Sequence, residues 1–229
     1  MMSEYFSLMK PELTVVVLIM LLLIKKIGVA KSLPDSSLLY FVAVVLLIPI
    51  GFNFIETPAG SLFGFMFETT PLIAFQKSIL IFGTIIIILQ SQAWLKSHIH
   101  VPEFLMLILA SLLGMMLMIS SGNFLMFYLS LELATIPLEA LCNFDLEKRI
   151  SSEAAMKMIM SSAFSSGLLL FGISLLYGAT GTVNFNQVNV MLDGNMFQIY
   201  AFVMIFTGFA FKDRKSTRLN SSHVSESRM

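Results

Sequence analysis

Residues 123–143 read NFLMFYLSLELATIPLEALCN, an apolar run of 21 residues that carries a carboxylate, Glu132, at its tenth position. As a helix, this run spans about 31 Å, roughly the thickness of the hydrocarbon core of a bilayer. A carboxylate in the middle of such a span costs about 2.5–3.5 kcal/mol on insertion scales, so it indicates a function inside the membrane. The run therefore predicts a transmembrane helix with a functional acid near its centre.

A second carboxylate, Glu139, follows seven residues later, on nearly the same helix face and about 10 Å further along the axis. Between the two acids, Pro137 removes one backbone hydrogen bond and predicts a kink whose freed carbonyl can bind water or a side chain. Glu139 either relays protons or approaches the inner headgroups, and the residues alone leave both readings open. Glu132 also has a structural alternative, since a buried acid can simply hold two helices together.

The composition of the whole chain supports a membrane protein. Its 229 residues are 57% hydrophobic and 12% charged, whereas soluble domains average about 45–50% apolar and about 25% charged. The single cysteine, Cys142, excludes an internal disulfide, and no two histidines lie at the helical i, i+4 spacing of a metal site. The sequence holds no phosphate-binding loop or basic nucleic-acid patch. We therefore expect no bound metal or cofactor and no nucleic-acid partner.

Seven hydrophobic segments predict an all-α integral membrane protein with about seven transmembrane helices. In chain order they are about Leu13 to Ala30, Leu38 to Phe54, Leu72 to Leu89, Val101 to Ser120, Asn123 to Asn143, Met156 to Tyr177 and Met196 to Lys212. Because only Ser121 and Gly122 separate the fourth segment from the fifth, these two form an antiparallel hairpin. We expect helices 1–3 in residues 1–100 and helices 4–7 in residues 101–212.

The composition changes abruptly at Asp213, after which no hydrophobic period remains. Residues 213–223 read DRKSTRLNSSH and look like the in-frame translation of a common short-read sequencing adapter. We therefore expect residues 213–229 to be non-native and the preceding chain to be the amino-terminal part of a longer protein. Under this interpretation the adapter supplies the last base of codon 212, so the natural residue at Lys212 is Lys or Asn.

The basic residues predict the orientation in the membrane. The loops after segments one, three and five, with the start of segment six, contain Lys25, Lys26, Lys31, Lys96, Lys148, Arg149 and Lys157. The opposite side offers Lys10 alone. By the positive-inside rule the amino terminus lies outside. We expect a multi-pass protein of the bacterial inner membrane.

Other polar residues near the predicted spans have less specific interpretations. Lys157 either snorkels to the interface or belongs to a proton path. Lys77, near the outer end of segment three, predicts an interfacial anchor, and His98 and His100 predict a solvated loop. A small-residue face on segment six should let that helix pack closely; it comprises Ser161, Ser162, Ser165, Ser166 and Gly167.

Lys212 follows sixteen residues of apolar helix and should lie deep in the bilayer. The proton affinity of a buried lysine depends on its distance from a carboxylate. Movement of Glu132 relative to Lys212 would therefore load or release a proton. The sequence allows this chemistry without showing that the two residues meet.

Three stretches, in this order, carry a closer resemblance. They are PEFLMLILASLLGMMLMISSGNFLMFYLSLELATIPLEAL at 102–141, SSEAAMKMIMSSAFSSGLLLFGISLLYG at 151–178, and TGFAFK at 207–212. Together they resemble the subunit N family of antiporter-like membrane subunits in proton-pumping NADH–quinone oxidoreductase, respiratory complex I. They are more distantly similar to subunits of multi-subunit cation/proton antiporters. The resemblance covers residues 1–212 and is strongest from about residue 100.

The resemblance implies the first half of a fourteen-helix protein with two inverted five-helix repeats, the first of which is truncated here. It implies that Glu132, in the Y-L-x-L-E motif of helix five, pairs with Lys212 of helix seven. It also implies that Lys157, in the A-x-x-K motif, belongs to the same half-channel. Glu139 departs from the family pattern, which usually has a small or apolar residue there.

The implied parent is a membrane-arm subunit without a redox centre or cofactor of its own. Its complex would oxidise NADH and reduce quinone while translocating protons, and its partners would be the other membrane-arm subunits and the lipid bilayer. We expect this fragment to be inactive alone because the second half-channel is absent. Two alternatives stay open: a subunit of a cation/proton antiporter, and an assembly subunit whose charges only fix helix packing.

Overall fold

The computed structural model describes residues 6–27, 35–55, 59–95, 100–144 and 149–225, with side chains at 6–27, 37–53, 59–95, 100–144 and 151–212. Four residues used above, Lys31, Lys96, His98 and Lys148, lie outside the described residues. The side chains of Arg149 and His223 also lie outside them.

Helices make up most of the described residues, because long apolar stretches follow one another with few Gly or Pro interruptions. The helices are α1 Lys10–Ile27, α2 Asp35–Val45, α3 Leu47–Ile55, α4 Pro71–Leu95, α5 Val101–Ile119, α6 Phe124–Cys142, α7 Arg149–Thr180, α8 Phe185–Val190 and α9 Met196–Ser225. Two short strands, β1 Gly60–Leu62 and β2 Phe67–Thr69, lie between α3 and α4. The predicted all-α class is confirmed, with this small hairpin added.

The described helices correspond to all seven predicted segments. Four are long and apolar enough to cross a membrane: Pro71–Leu95, Val101–Ile119, Phe124–Cys142 and Ser151–Thr180. Segments two and seven give the shorter apolar helices Ser37–Asn53 and Met196–Lys212. Helix α1 continues through Lys25 and Lys26, the two residues that interrupt the first segment. Helix α9 continues to Ser225, beyond the predicted end of segment seven.

The second segment forms two helices because of a proline. Helix α2 ends at Val45, Leu46 forms a turn, and α3 begins at Leu47. Pro49 has no N–H to donate to the Val45 carbonyl, and its ring crowds the same carbonyl. The direction of the chain can therefore change at Leu46.

The β-hairpin lies in the loop before α4, and its backbone is hydrogen-bonded to the turn between α5 and α6. Strands β1 and β2 pair antiparallel, with Ser61 opposite Glu68. Glu68 N donates to the Ser120 carbonyl at 2.8 Å, and Gly122 N donates to the Met66 carbonyl at 2.9 Å. A Cβ at Gly122 would overlap the carbonyl oxygen of Phe65. The turn therefore needs glycine to lie this close to the hairpin.

By packing, the chain divides into two compact units, residues 1–144 and residues 145–229. The core of the first unit consists of buried aliphatic side chains from α1, α2, α4 and α5, with Leu46 between α2 and α3. Other apolar side chains of the same helices, such as Phe82 and Ile86, are about half exposed, as expected for a surface that faces lipid tails. The domain boundaries predicted at residues 100 and 212 stay predictions.

The second unit is built on close contact between α7 and α9. A Cβ at Gly172 would lie 2.8 Å from the backbone nitrogen of Ile205, and one at Gly208 would lie 2.9 Å from that of Leu169. Each helix thus offers a glycine where the other helix's backbone approaches, as small residues do in membrane helix pairs. Of the predicted small-residue face, Ser162, Ser165 and Ser166 are buried. Ser161 and Gly167 are exposed and take no part in this contact.

Candidate functional site: charged side chains of the membrane helices

Helix α6, which carries Glu132, has defined caps at both ends. Asn123 has extended backbone angles, and its Oδ1 accepts a hydrogen bond from the Met126 N–H at 2.6 Å. This bond satisfies one of the donors that a helix leaves unpaired in its first turn. Asn143 is the cap at the other end. The boundaries predicted from the sequence, Asn123 and Asn143, are confirmed, and Glu132 lies near the middle of the 19-residue helix.

Helix α5 contacts α6 immediately after Glu132. A Cβ at Gly114 would lie 2.6 Å from the carbonyl carbon of Leu133 and 2.7 Å from the Cα of Ala134. Ser111 Oγ donates a hydrogen bond to the Ala134 carbonyl at 2.8 Å. The Leu133 carbonyl is the group that loses its helical partner at Pro137. The backbone that follows Glu132 is therefore held against α5 at the point where the proline weakens it.

The two acids of α6 differ in burial. Glu132 is half-buried, and Tyr128 lies one turn earlier on the same helix. Glu139 is 7% exposed. Its side chain is thus enclosed by the first unit, and its predicted part in proton relay stays a prediction.

Lys212 and Lys157 belong to the second unit and have different surroundings. Lys212 is half-buried, and its Nζ donates to Ser166 Oγ at 3.3 Å, which links α9 to the buried serines of α7. Lys157 Nζ lies 2.6 Å from Glu153 Oε1, and these side chains are 75% and 63% exposed. A surface i, i+4 pair of this kind contributes little to stability. Sequence reasoning did not single out Glu153, although it lies one turn before Lys157.

Lys77 is not the interfacial anchor that its place near a segment end predicted. Lys77 is 1% exposed and Glu12 is 2% exposed. Their Nζ and Oε1 atoms lie 2.6 Å apart. Removing one partner from such a buried pair typically costs about 3–5 kcal/mol. The sequence signal was two opposite charges beside apolar runs, but nothing in the spacing of residues 12 and 77 indicates that they meet.

A second charged group joins α1 to α5 within the first unit. Glu103 Oε1 contacts Lys26 Nζ and lies 3.1 Å from His100 Nδ1. The His100 side chain is 54% exposed, which agrees with its predicted solvated position. Among the described residues, no group of three His, Cys, Asp or Glu side chains could hold a metal ion.

The structure places Glu132 and Glu139 in the first unit and Lys157 and Lys212 in the second. The predicted pairing of Glu132 with Lys212 joins residues of different units and stays a prediction. The proton-translocating roles of all four residues also stay predictions at this point.

The sequence matches a family and a set of curated relatives. Residues 121–215 match the model described as NADH:quinone oxidoreductase/Mrp antiporter, TM. The chain is 46% identical over 155 residues to NADH-quinone oxidoreductase subunit N of Phocaeicola vulgatus, covering 66% of this chain and 33% of that protein. It is 36% identical over 207 residues to subunit N of Pelagibacter ubique, covering 88% of this chain and 43% of the relative. The chain thus spans less than half the length of these relatives.

Two solved structures share the fold. A chain of respiratory complex I from Thermus thermophilus, solved with bound aureothin, superposes with a TM-score of 0.69 at 19% identity, covering 87% of this chain and 43% of that chain. A chain of the membrane-bound sulfane sulfur reductase, an archaeal respiratory membrane complex, superposes with a TM-score of 0.68 at 20% identity, covering 90% and 44%.

The long apolar helices indicate a multi-pass helical membrane protein, and the sequence matches place it in the antiporter-like class. Within that class, the chain belongs to the subunit N family of NADH-quinone oxidoreductase.

Proposed function

We propose that this chain is part of a membrane-arm subunit that couples electron transfer to quinone with proton translocation. The relatives that it matches are named subunit N of NADH-quinone oxidoreductase. The observation that carries the proposal is the position of Glu132. It is half-buried near the middle of α6, beside the backbone that Ser111 and Gly114 of α5 contact. An ionisable group at this depth is a functional candidate because its insertion is costly.

In this proposal Glu132 and Lys212 form a switchable proton site. A carboxylate close to a lysine favours the charged lysine, and separation of the two favours release of its proton. Ser166 suits a lysine that changes charge, since a hydroxyl can accept a hydrogen bond from the ammonium or donate one to the neutral amine. Lys157 would supply protons to the site from the cytoplasmic side.

The redox chemistry takes place elsewhere in the proposed complex. NADH is oxidised and quinone is reduced by other subunits, and this chain contributes no redox centre. Its partners are the other membrane-arm subunits and the lipid bilayer. We place it in the bacterial inner membrane with its amino terminus outside, following the positive-inside rule. The 229-residue chain alone would not complete a proton path.

A second candidate is a subunit of a multi-subunit cation/proton antiporter, and the matched family model names both protein types. The two functions differ in what drives the proton. In the proposed function, proton movement requires electron transfer from NADH to quinone. In an antiporter, it requires only a gradient of the exchanged cation.

The test uses the full-length parent in its purified complex, reconstituted into liposomes with a pH-sensitive dye inside. We expect acidification or alkalinisation of the lumen only when both NADH and quinone are present, and its loss when a protonophore is added. Proton movement driven by a sodium or potassium gradient without NADH would instead support the antiporter.

A further inference from the structure

The buried ion pair between α1 and α4 leaves one of its carboxylate oxygens without a hydrogen bond from the described residues. Lys77 Nζ lies 2.6 Å from Glu12 Oε1, with both side chains 2% exposed. Among the described residues, Glu12 Oε2 has no hydrogen-bond partner. A carboxylate offers about four lone-pair positions, and buried polar atoms are nearly always hydrogen-bonded.

The surroundings of the pair combine an aromatic ring with a further buried polar atom. Lys77 Nζ lies 4.8 Å from the centre of the Phe67 ring, a cation–π contact. Thr69 is two residues along β2, so it faces the same side of the strand as Phe67. Its Oγ1 is buried and has no hydrogen-bond partner in the part of the chain that the structure describes. A second polar contact follows on α4, where Asn53 Nδ2 donates to Ser78 Oγ at 3.1 Å.

We propose that Glu12 and Lys77 form a water-binding, proton-exchanging site in the amino-terminal helices, separate from Glu132. A water molecule that donates to Glu12 Oε2 supplies the hydrogen bond that the protein does not. Ordered waters commonly satisfy buried polar groups in this way. A proton can then move within the pair: one N–H bond of the Lys77 ammonium breaks and an O–H bond forms on Glu12. The products are a neutral amine and a carboxylic acid, and the reverse step restores both charges.

The site is connected to the helix that carries Glu132. Phe67, whose ring covers Lys77, forms a β-bridge with Ser121. Two residues later, Asn123 caps the start of α6. A change in the charge of the pair therefore acts on a hairpin that is hydrogen-bonded to the turn before α6.

The test uses the 229-residue chain in lipid nanodiscs at neutral pH, followed by infrared spectroscopy after a rapid change from H₂O to D₂O. The proposal requires no electron transfer and does not depend on Glu132, so its failure would leave the proposed function untouched. Circular dichroism confirms that each variant keeps the helical content of the wild type.

The first variant is Lys77→Met, which leaves the Glu12 carboxylate buried without its cation. A buried unpaired carboxylate takes up a proton, so we expect a carboxylic-acid C=O band that is absent from the double variant Lys77→Met/Glu12→Gln. Water access to the site, as proposed, should make the band shift as fast as the solvent is exchanged. Absence of the band, or a shift only as slow as that of the core amides, would overturn the proposal.

The second comparison keeps Lys77 in place. The wild type should show a bound-water O–D stretch that Glu12→Gln removes and Glu68→Gln leaves unchanged, because Glu68 points to the opposite face of β2. A spectrum in which Glu12→Gln changes no water band would show a dry structural pair and contradict the site. If Lys77→Met does not fold, this comparison by itself tests whether the site binds water.

Discussion

The Ser111 hydroxyl donates a hydrogen bond to the carbonyl oxygen of Ala134 at 2.8 Å, two residues after Glu132 on the neighbouring helix. Gly114, one turn further along α5, brings the two backbones close together at the same place. The position of Glu132 in the membrane is therefore set by a contact between α5 and α6 as well as by α6 itself.

Gly114→Ala should lower the free energy of unfolding by about 1–3 kcal/mol, because the added Cβ has no room against the backbone at Leu133 and Ala134. Denaturant unfolding of the purified chain in detergent measures the change. Gly83→Ala is the matched control, since Gly83 lies inside α4 with nothing within 4 Å of an added Cβ. We expect it to raise stability by up to about 1 kcal/mol. Equal stability of the two variants would contradict the proposed contact.

Gly122→Ala should detach the hairpin from the turn between α5 and α6, because its Cβ would overlap the Phe65 carbonyl. The amide of Glu68, which donates to Ser120, should then exchange with deuterium faster than in the wild type. Hydrogen exchange read by mass spectrometry on peptides that cover the hairpin checks this. Gly51→Ala, which has open space around its added Cβ, should leave the exchange of Glu68 unchanged. Unchanged exchange in Gly122→Ala would show that the hairpin does not depend on this glycine.

Ser166→Ala should slow proton translocation by the full-length complex about 10-fold, which corresponds to about 1.4 kcal/mol. The reason is that Ser166 is the hydroxyl to which Lys212 donates. Lys212→Met should abolish translocation through this half-channel. Proton uptake into liposomes at a fixed quinone-reduction rate is the measurement, and Ser162→Ala, at another buried serine of α7, is the control. Equal rates in Ser166→Ala and Ser162→Ala would remove Ser166 from the site.

Glu153→Gln should leave the free energy of unfolding nearly unchanged, because the pair that it breaks is exposed. If Lys157 supplies protons, Lys157→Met should slow translocation while Glu153→Gln leaves it near the wild-type rate. Rates measured in the same liposome assay separate these effects. Equal slowing by both variants would mean that the pair, and not the lysine alone, matters.

The sequence predicts the helices well and the contacts between distant charges poorly. The Asn123–Asn143 run predicted its helix to the residue, because its caps and its apolar length agree. The helical spacing of the serines of α7 also predicted a packed face, and three of these serines are buried. It failed for Lys77, since a lysine near the end of a span gives the same local signal whether it reaches the interface or meets Glu12. The hairpin was missed because three-residue strands show no usable alternation.

The most direct test of the central claim replaces Glu132 by Gln in the full-length complex and measures protons translocated per NADH oxidised. Gln keeps the size and polarity of the side chain but cannot take up a proton at neutral pH. Asp193→Asn, at an exposed acid between α8 and α9, is the matched control and should keep the wild-type ratio. If Glu132 is the proton-carrying acid of this subunit, Glu132→Gln lowers the ratio or stops turnover in an assembled complex. A wild-type ratio at the normal quinone-reduction rate would contradict that role.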